Sequence, residues 1–204
     1  MADHKQVKKD KPIFISCSTN DIKIARYFRS AIFQLPGYWG YIARDQPETF
    51  EYPSEKIAEW LEKCYAYIIL YTRSGLESPM VNQEFGFFYH RFRNVKRNKP
   101  LIFLVKSINI LEQIDGFAYG REAIPLNPAD PKHAIKDFLW EMKNAYSIDL
   151  LEIFCGEHVI NIQWPSSSVC QEYMDRSSLL EYECDVCGDM IRIDPYTFLR
   201  VATR

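Results

Sequence analysis

Residues 13–17, IFISC, form a short unbroken apolar run that empties into Ser18, Thr19, Asn20 and Asp21, the pattern of a buried strand leading into a helix start. Ile24, Phe28, Ala31 and Ile32 then recur at helical spacing until Pro36 and Gly37, where proline breaks the hydrogen-bond ladder and glycine accepts a turn. A second strand is expected over residues 38–43. The polar stretch 44–53 leads to Ser54, expected as the N-cap of a helix with Ile57, Trp60, Leu61 and Cys64 on one face. Residues 65–71 predict a third strand. Ser78 and Pro79 read as N-cap and first position of a helix whose buried stripe is Val81, Phe85, Phe88 and Phe92. A fourth strand is expected over 101–105 and a short fifth over 123–126. Asp130 with Pro131 then opens a helix carrying Ile135, Phe138, Leu139 and Met142.

Strands alternating with helices at these spacings predict parallel βα units, an α/β sheet covered on both faces. Ligands of such sheets sit beyond the carboxyl ends of the strands. Three loops, 16–21, 44–53 and 71–84, are thereby brought to one cleft.

Composition narrows the choice of partners. The 204 residues are 47% hydrophobic, enough for a full core. With 25 Lys and Arg against 27 Asp and Glu, the net charge is −2, which provides no global field for nucleic acid or an anionic membrane. No apolar run approaches the roughly 20 residues of a membrane helix. The charged start MADHKQVKKDKP lacks an apolar leader core, so a cytoplasmic, reducing compartment is expected and the six cysteines are thiols or metal ligands before disulfides. Cys17 and Cys64 fit small buried hydrophobes. No Walker loop, GxGxxG or GxSxG motif is present, which removes support for triphosphate hydrolysis, Rossmann hydride transfer and α/β-hydrolase chemistry.

Four ordered segments, FISCSTND, KIAEWLEKCYAYIILYT, SGLESPMVNQEFGFF and GFAYGREAIPL followed by a proline-initiated helix, resemble the prokaryotic branch of the Toll/interleukin-1 receptor (TIR) domains. The resemblance runs from about Pro12 to Met142. It divides the chain into a basic tail (1–11), a TIR domain (12–145) and a small C-terminal α+β extension (146–204), and it implies a flavodoxin-like parallel sheet flanked by helices. Some TIR domains are scaffolds and others cleave NAD. In the latter a glutamate in a W-V-x-x-E context is catalytic; here that context reads Met80, Val81, Asn82, Gln83, Glu84, which gives Glu84 the role. Met80 stands where the family often has tryptophan, a departure that bears on a stacking contact with the substrate.

Nicotinamide in NAD is already a pyridinium and departs neutral, so its loss needs no general acid, unlike ordinary glycoside cleavage with its two carboxylates. One carboxylate that grips ribose and stabilises an oxocarbenium-like transition state in a dry pocket suffices. Glu84 borders the stripe of Val81 and Phe88 and is expected half-buried; the alternative is a solvated glutamate paired with Arg91 or Arg93. Ser16 and Ser18 at the end of the first strand are candidates for ribose or phosphate contact, with turn or cap as the alternative for Ser18. Arg44 could face a pyrophosphate and Asp45 a ribose hydroxyl, or the two could join ordinary ion pairs. Ser78 and Met80 complete the expected substrate contacts. Residues 46–53 correspond to the family's BB loop, an assembly contact as well as a pocket wall. The five bases within 91–99 fit a solvated helix end better than a nucleic-acid site.

In the extension, alternation over 158–164 predicts a strand. Cys184 and Cys187 have the spacing of a metal knuckle, and Cys155 with His158 could supply a second pair for zinc. The long separation of the pairs favours neighbouring structural thiols, and the expected chemistry requires no metal. The resemblance thus implies an NAD glycohydrolase or ADP-ribosyl cyclase of anti-phage defence, self-associating through TIR contacts, its product sensed by a defence effector, with neither membrane nor nucleic acid as partner. The rivals are a non-catalytic TIR scaffold and a nucleoside deoxyribosyltransferase-like hydrolase.

Overall fold

Side-chain alternation along the first strand sets the architecture. In a computed structural model that describes residues 9–45, 53–92, 100–110, 123–156 and 158–202, β1 (Lys11–Ser16) sends Ile13 and Ile15 to one face of a sheet and Phe14 to the other, all buried. The chain continues through α1 (Ile22–Ile32), β2 (Tyr38–Tyr41), α2 (Pro53–Lys63), β3 (Ala66–Tyr71), the short α3 (Arg73–Leu76), α4 (Pro79–Phe92), β4 (Leu101–Ser107), β5 (Ile124–Leu126) and α5 (Lys132–Tyr146). The five strands pair in parallel in the order β2-β1-β3-β4-β5. This is the flavodoxin-like order, whose switch point falls between β1 and β3.

The two faces hold different cores. Ala66, Ile68 and Leu70 of β3 join Ile13, Ile15 and the buried stripes of α1 and α5. Tyr67, Ile69 and Tyr71 join Phe14, Tyr41, Leu61 of α2 and Val81, Phe85 and Phe88 of α4. The helical stripes expected from spacing face these cores, with Ile57, Trp60 and Phe92 partly buried and the other members buried. Cys17 and Cys64 are buried; burial pushes the Cys64 thiol up to about 12 and keeps it inert.

Boundaries differ where backbone chemistry intervenes. Strand β2 stops at Tyr41 rather than 43, because residues 43–45 wind into a 3-10 turn with the Asp45 N–H bonded to the Ile42 carbonyl at 3.1 Å. Helix α2 starts at Pro53, whose fixed φ suits a first helical position, so Ser54 lies inside the helix and is not its cap. Helix α5 is flanked by Pro131, and Asp130 Oδ1 accepts from the Lys132 N–H at 3.4 Å.

The extension comprises an antiparallel hairpin of β6 (Leu150–Cys155) and β7 (His158–Gln163), a helix α6 (Ser167–Asp175), and a second hairpin of β8 (Leu180–Glu183) and β9 (Met190–Ile193). It does not form a core of its own. Leu151, Ile153, Trp164, Ile191 and Phe198 belong to the same buried cluster as α1 and α5, Phe33 stacks on Phe154 at 5.2 Å, and the Glu152 N–H bonds the Gln34 carbonyl at 2.8 Å. Among the described residues no helix is long and apolar enough to cross a membrane.

Candidate functional site

The carboxyl ends of β1 and β3 meet at the switch point, where Ser16 is the last residue of β1 and pairs in register with Ile69. Helix α4 packs against this edge: Phe88 stacks on Tyr67 with centroids 4.5 Å apart. One turn earlier on the same helix, Glu84 is only 5% exposed, deeper than the half-burial its stripe position predicts. The reason is tertiary, since α4 lays it against β1 and the Ser16 hydroxyl donates to its Oε2. A buried carboxylate needs such donors to remain in place. Arg91, expected as a possible partner, pairs instead with Glu62 at 3.3 Å.

Two phenols complete the surroundings. Burial first, and then the charge of Glu84, raise the Tyr67 hydroxyl well above its ordinary value. The same two causes raise Tyr41, whose ring stacks on Trp60 at 4.7 Å. Both therefore stay protonated beside the carboxylate. Neither was legible as a site residue, because an aromatic in a strand reads as core.

A second buried carboxylate ties the strand ends together. Asp21 accepts from the Ser18 hydroxyl and, at 2.6 Å, from Thr72 just after β3; Thr72 Oγ1 in turn accepts from the Gly75 N–H at 3.0 Å. Gly75 is obligatory here, since a Cβ would stand 2.2 Å from the Leu70 carbonyl oxygen. Ser18 is thus spent on Asp21, and it makes no side-chain cap bond. An acidic residue closing the short polar segment after a buried strand is the signal for Asp21 that the sequence carries.

The remaining expected contacts divide. Ser78 Oγ accepts from the Val81 N–H at 3.4 Å and so caps α4. Met80 is 38% exposed, four residues before Glu84 on the same helix side. Asp45 pairs with α1, where Arg26 Nη2 reaches Oδ1 at 2.7 Å and Arg29 Nη1 reaches Oδ2 at 2.6 Å. The Arg44 side chain, loop 46–52 and bases 93–99 lie outside the described residues.

The Arg26 hydrogen bonds lead in holding the Asp45 carboxyl below 3.8, against the opposing effect of burial and with the Arg29 charge adding to them. A lowered folded-state value means that its stabilisation is full above the unfolded value and disappears as pH falls through the folded one. Asp45→Asn is expected to cost about 1 kcal/mol at neutral pH, since both guanidiniums are exposed and screened. Urea titrations of the two proteins should converge in strong acid.

Cys155, His158, Cys184 and Cys187, from the two hairpin tips, place their ligand atoms within 4.8 Å of one another. This set could hold a metal ion and is remote in sequence from Glu84. No family model matches the chain, and no curated protein matches it.

Proposed function

We propose that this chain is a TIR-type enzyme that cleaves the nicotinamide N-glycosidic bond of NAD in the cytoplasm, as part of a defence response to phage. The observation that carries the reading is the buried Ser16–Glu84 pair at the β1/β3 switch point, where α/β sheets of this order hold their ligands. Supporting it are the two neutral phenols beside the carboxylate and the low exposure that strengthens its field.

The C1′–N bond breaks with its electron pair leaving on nicotinamide, which departs uncharged. Glu84 carries the negative charge that stabilises the ribosyl cation as it develops, and Ser16 orients that carboxylate. Water attacking C1′ and losing a proton gives ADP-ribose; attack by an adenine nitrogen of the same molecule gives a cyclic product. Assembly with further copies of the chain and an effector that reads the product belong to the same proposal.

The test is nicotinamide release from NAD by concentrated protein, with product mass measured and with simple deoxynucleosides as parallel substrates. Release of nicotinamide alongside a linear or cyclised ADP-ribose supports the reading. Cleavage of nucleosides with NAD untouched would replace it with the deoxyribosyltransferase-like hydrolase. Stable assembly without turnover of either would favour the scaffold.

A further inference from the structure

The two hairpins of the extension meet at their tips. Cys155 ends β6 and His158 opens β7, as cross-strand partners either side of the turn. Cys184 follows β8, and Cys187 lies in the turn before β9. Their four ligand atoms lie within 4.8 Å of one another, with the Cys155 and Cys187 sulfurs 3.5 Å apart. A tetrahedral zinc ion, with Zn–S about 2.3 Å and Zn–N about 2.0 Å, holds its ligand atoms roughly 3.5–3.8 Å apart, so the cluster needs only a slight contraction.

A second, independent observation points to a ligand. His158 Nδ1 is buried and has no hydrogen-bond partner among the described residues, a condition that folded proteins rarely leave unrelieved and that a bond to a metal relieves. The turn that carries Cys184 and Cys187 is also tightly defined. The Gly188 N–H bonds the Cys184 carbonyl at 2.8 Å, the Cys184 N–H bonds the Asp189 carbonyl at 2.9 Å, and Gly188 adopts φ +75, a region that favours glycine.

We propose that Cys155, His158, Cys184 and Cys187 bind one zinc ion in a closed tetrahedral site that fastens the β6–β7 hairpin to the β8–β9 hairpin. Three thiolates and an imidazole suit zinc over hard cations, and four protein ligands leave no open position for catalysis, so the role is structural. Two-stranded hairpins are marginal alone, and this one ion crosslinks two of them. Binding displaces the thiol protons to solvent.

The experiment is metal analysis of the full chain after exhaustive dialysis, followed by zinc release with a mercurial and by cobalt substitution. One zinc per chain, released as the thiols are titrated, is expected, and the cobalt form should show strong visible ligand-field bands with thiolate charge transfer. Cys187→Ser, at the exposed member of the set, should lose its zinc to a mild chelator that leaves the wild type loaded, and Cys187→His should retain it. A metal-free chain whose cluster thiols all react with Ellman's reagent, or one carrying a Cys155–Cys187 disulfide, overturns the proposal. So does a wild-type cobalt spectrum without thiolate charge transfer, a measurement that does not depend on any variant folding. Metal content is read without reference to NAD, so the result stands apart from the fate of Glu84.

Discussion

Glu84→Gln is expected to cut nicotinamide release from NAD by about 10²–10³-fold, the loss typical of removing one preorganised electrostatic group. The amide keeps the shape of the side chain and can still accept the Ser16 hydroxyl, so the fold should survive. What disappears is the negative charge opposite the developing ribosyl cation. The effect should fall on kcat, because the cation exists only in the transition state and the ground-state contacts are preserved. Initial rates at saturating NAD, with circular dichroism to confirm the folded state, provide the check. A wild-type rate in a folded Glu84→Gln chain would sink the NAD reading.

Trp164→Ala should lower stability by about 3 kcal/mol, the low end of the range for deleting a large buried aromatic. Trp164 is buried, sits edge-on to Trp140 of α5 at 5.8 Å and touches Phe198 at 5.3 Å, so its loss opens a cavity where the extension joins the sheet's helical layer. The figure stays low because its indole N–H is buried without a partner among the described residues, and removing an unsatisfied donor recovers part of the cost. For a chain of this size the melting temperature should fall by about 6–12 °C. Far-UV circular dichroism should show one transition in both proteins, since the extension shares its core with α1 and α5. A separate early transition would mean that the extension unfolds alone.

Much of this architecture was legible because it follows from local patterns. Ile13, Phe14 and Ile15 are an unbroken apolar run, which only a strand buried on both faces can use, and the structure divides them between two cores. The Val81, Phe85 and Phe88 stripe placed Glu84 at the edge of a buried face before any tertiary contact was known. Ser78 and Pro79 marked the start of α4 through capping chemistry, and the structure places the helix there. Ser54 is displaced from that role because Pro53, whose fixed φ suits a first helical position, starts the helix one residue earlier.

Asp45 shows why site residues are harder to read than elements. A carboxylate at a strand end is equally suited to a ribose hydroxyl or a guanidinium, and the choice was made by α1, which presents Arg26 and Arg29 on one side at helical spacing. Asp21 is the converse case, a residue taken for a loop that joins β1 to Thr72 beyond β3. Tyr67 gained its place beside Glu84 only when α4 packed over β3.

By itself the sequence determined the period and order of the strands and helices, the burial stripe of each helix and the residue types available for chemistry, because these depend on neighbours a few positions apart. The tertiary structure decided which groups meet: Ser16 with Glu84, Asp21 with Thr72, and Cys155 and His158 with Cys184 and Cys187. Those meetings depend on strand order and on how helices and hairpins pack across long loops, and no local pattern in the chain encodes the distance between their ends.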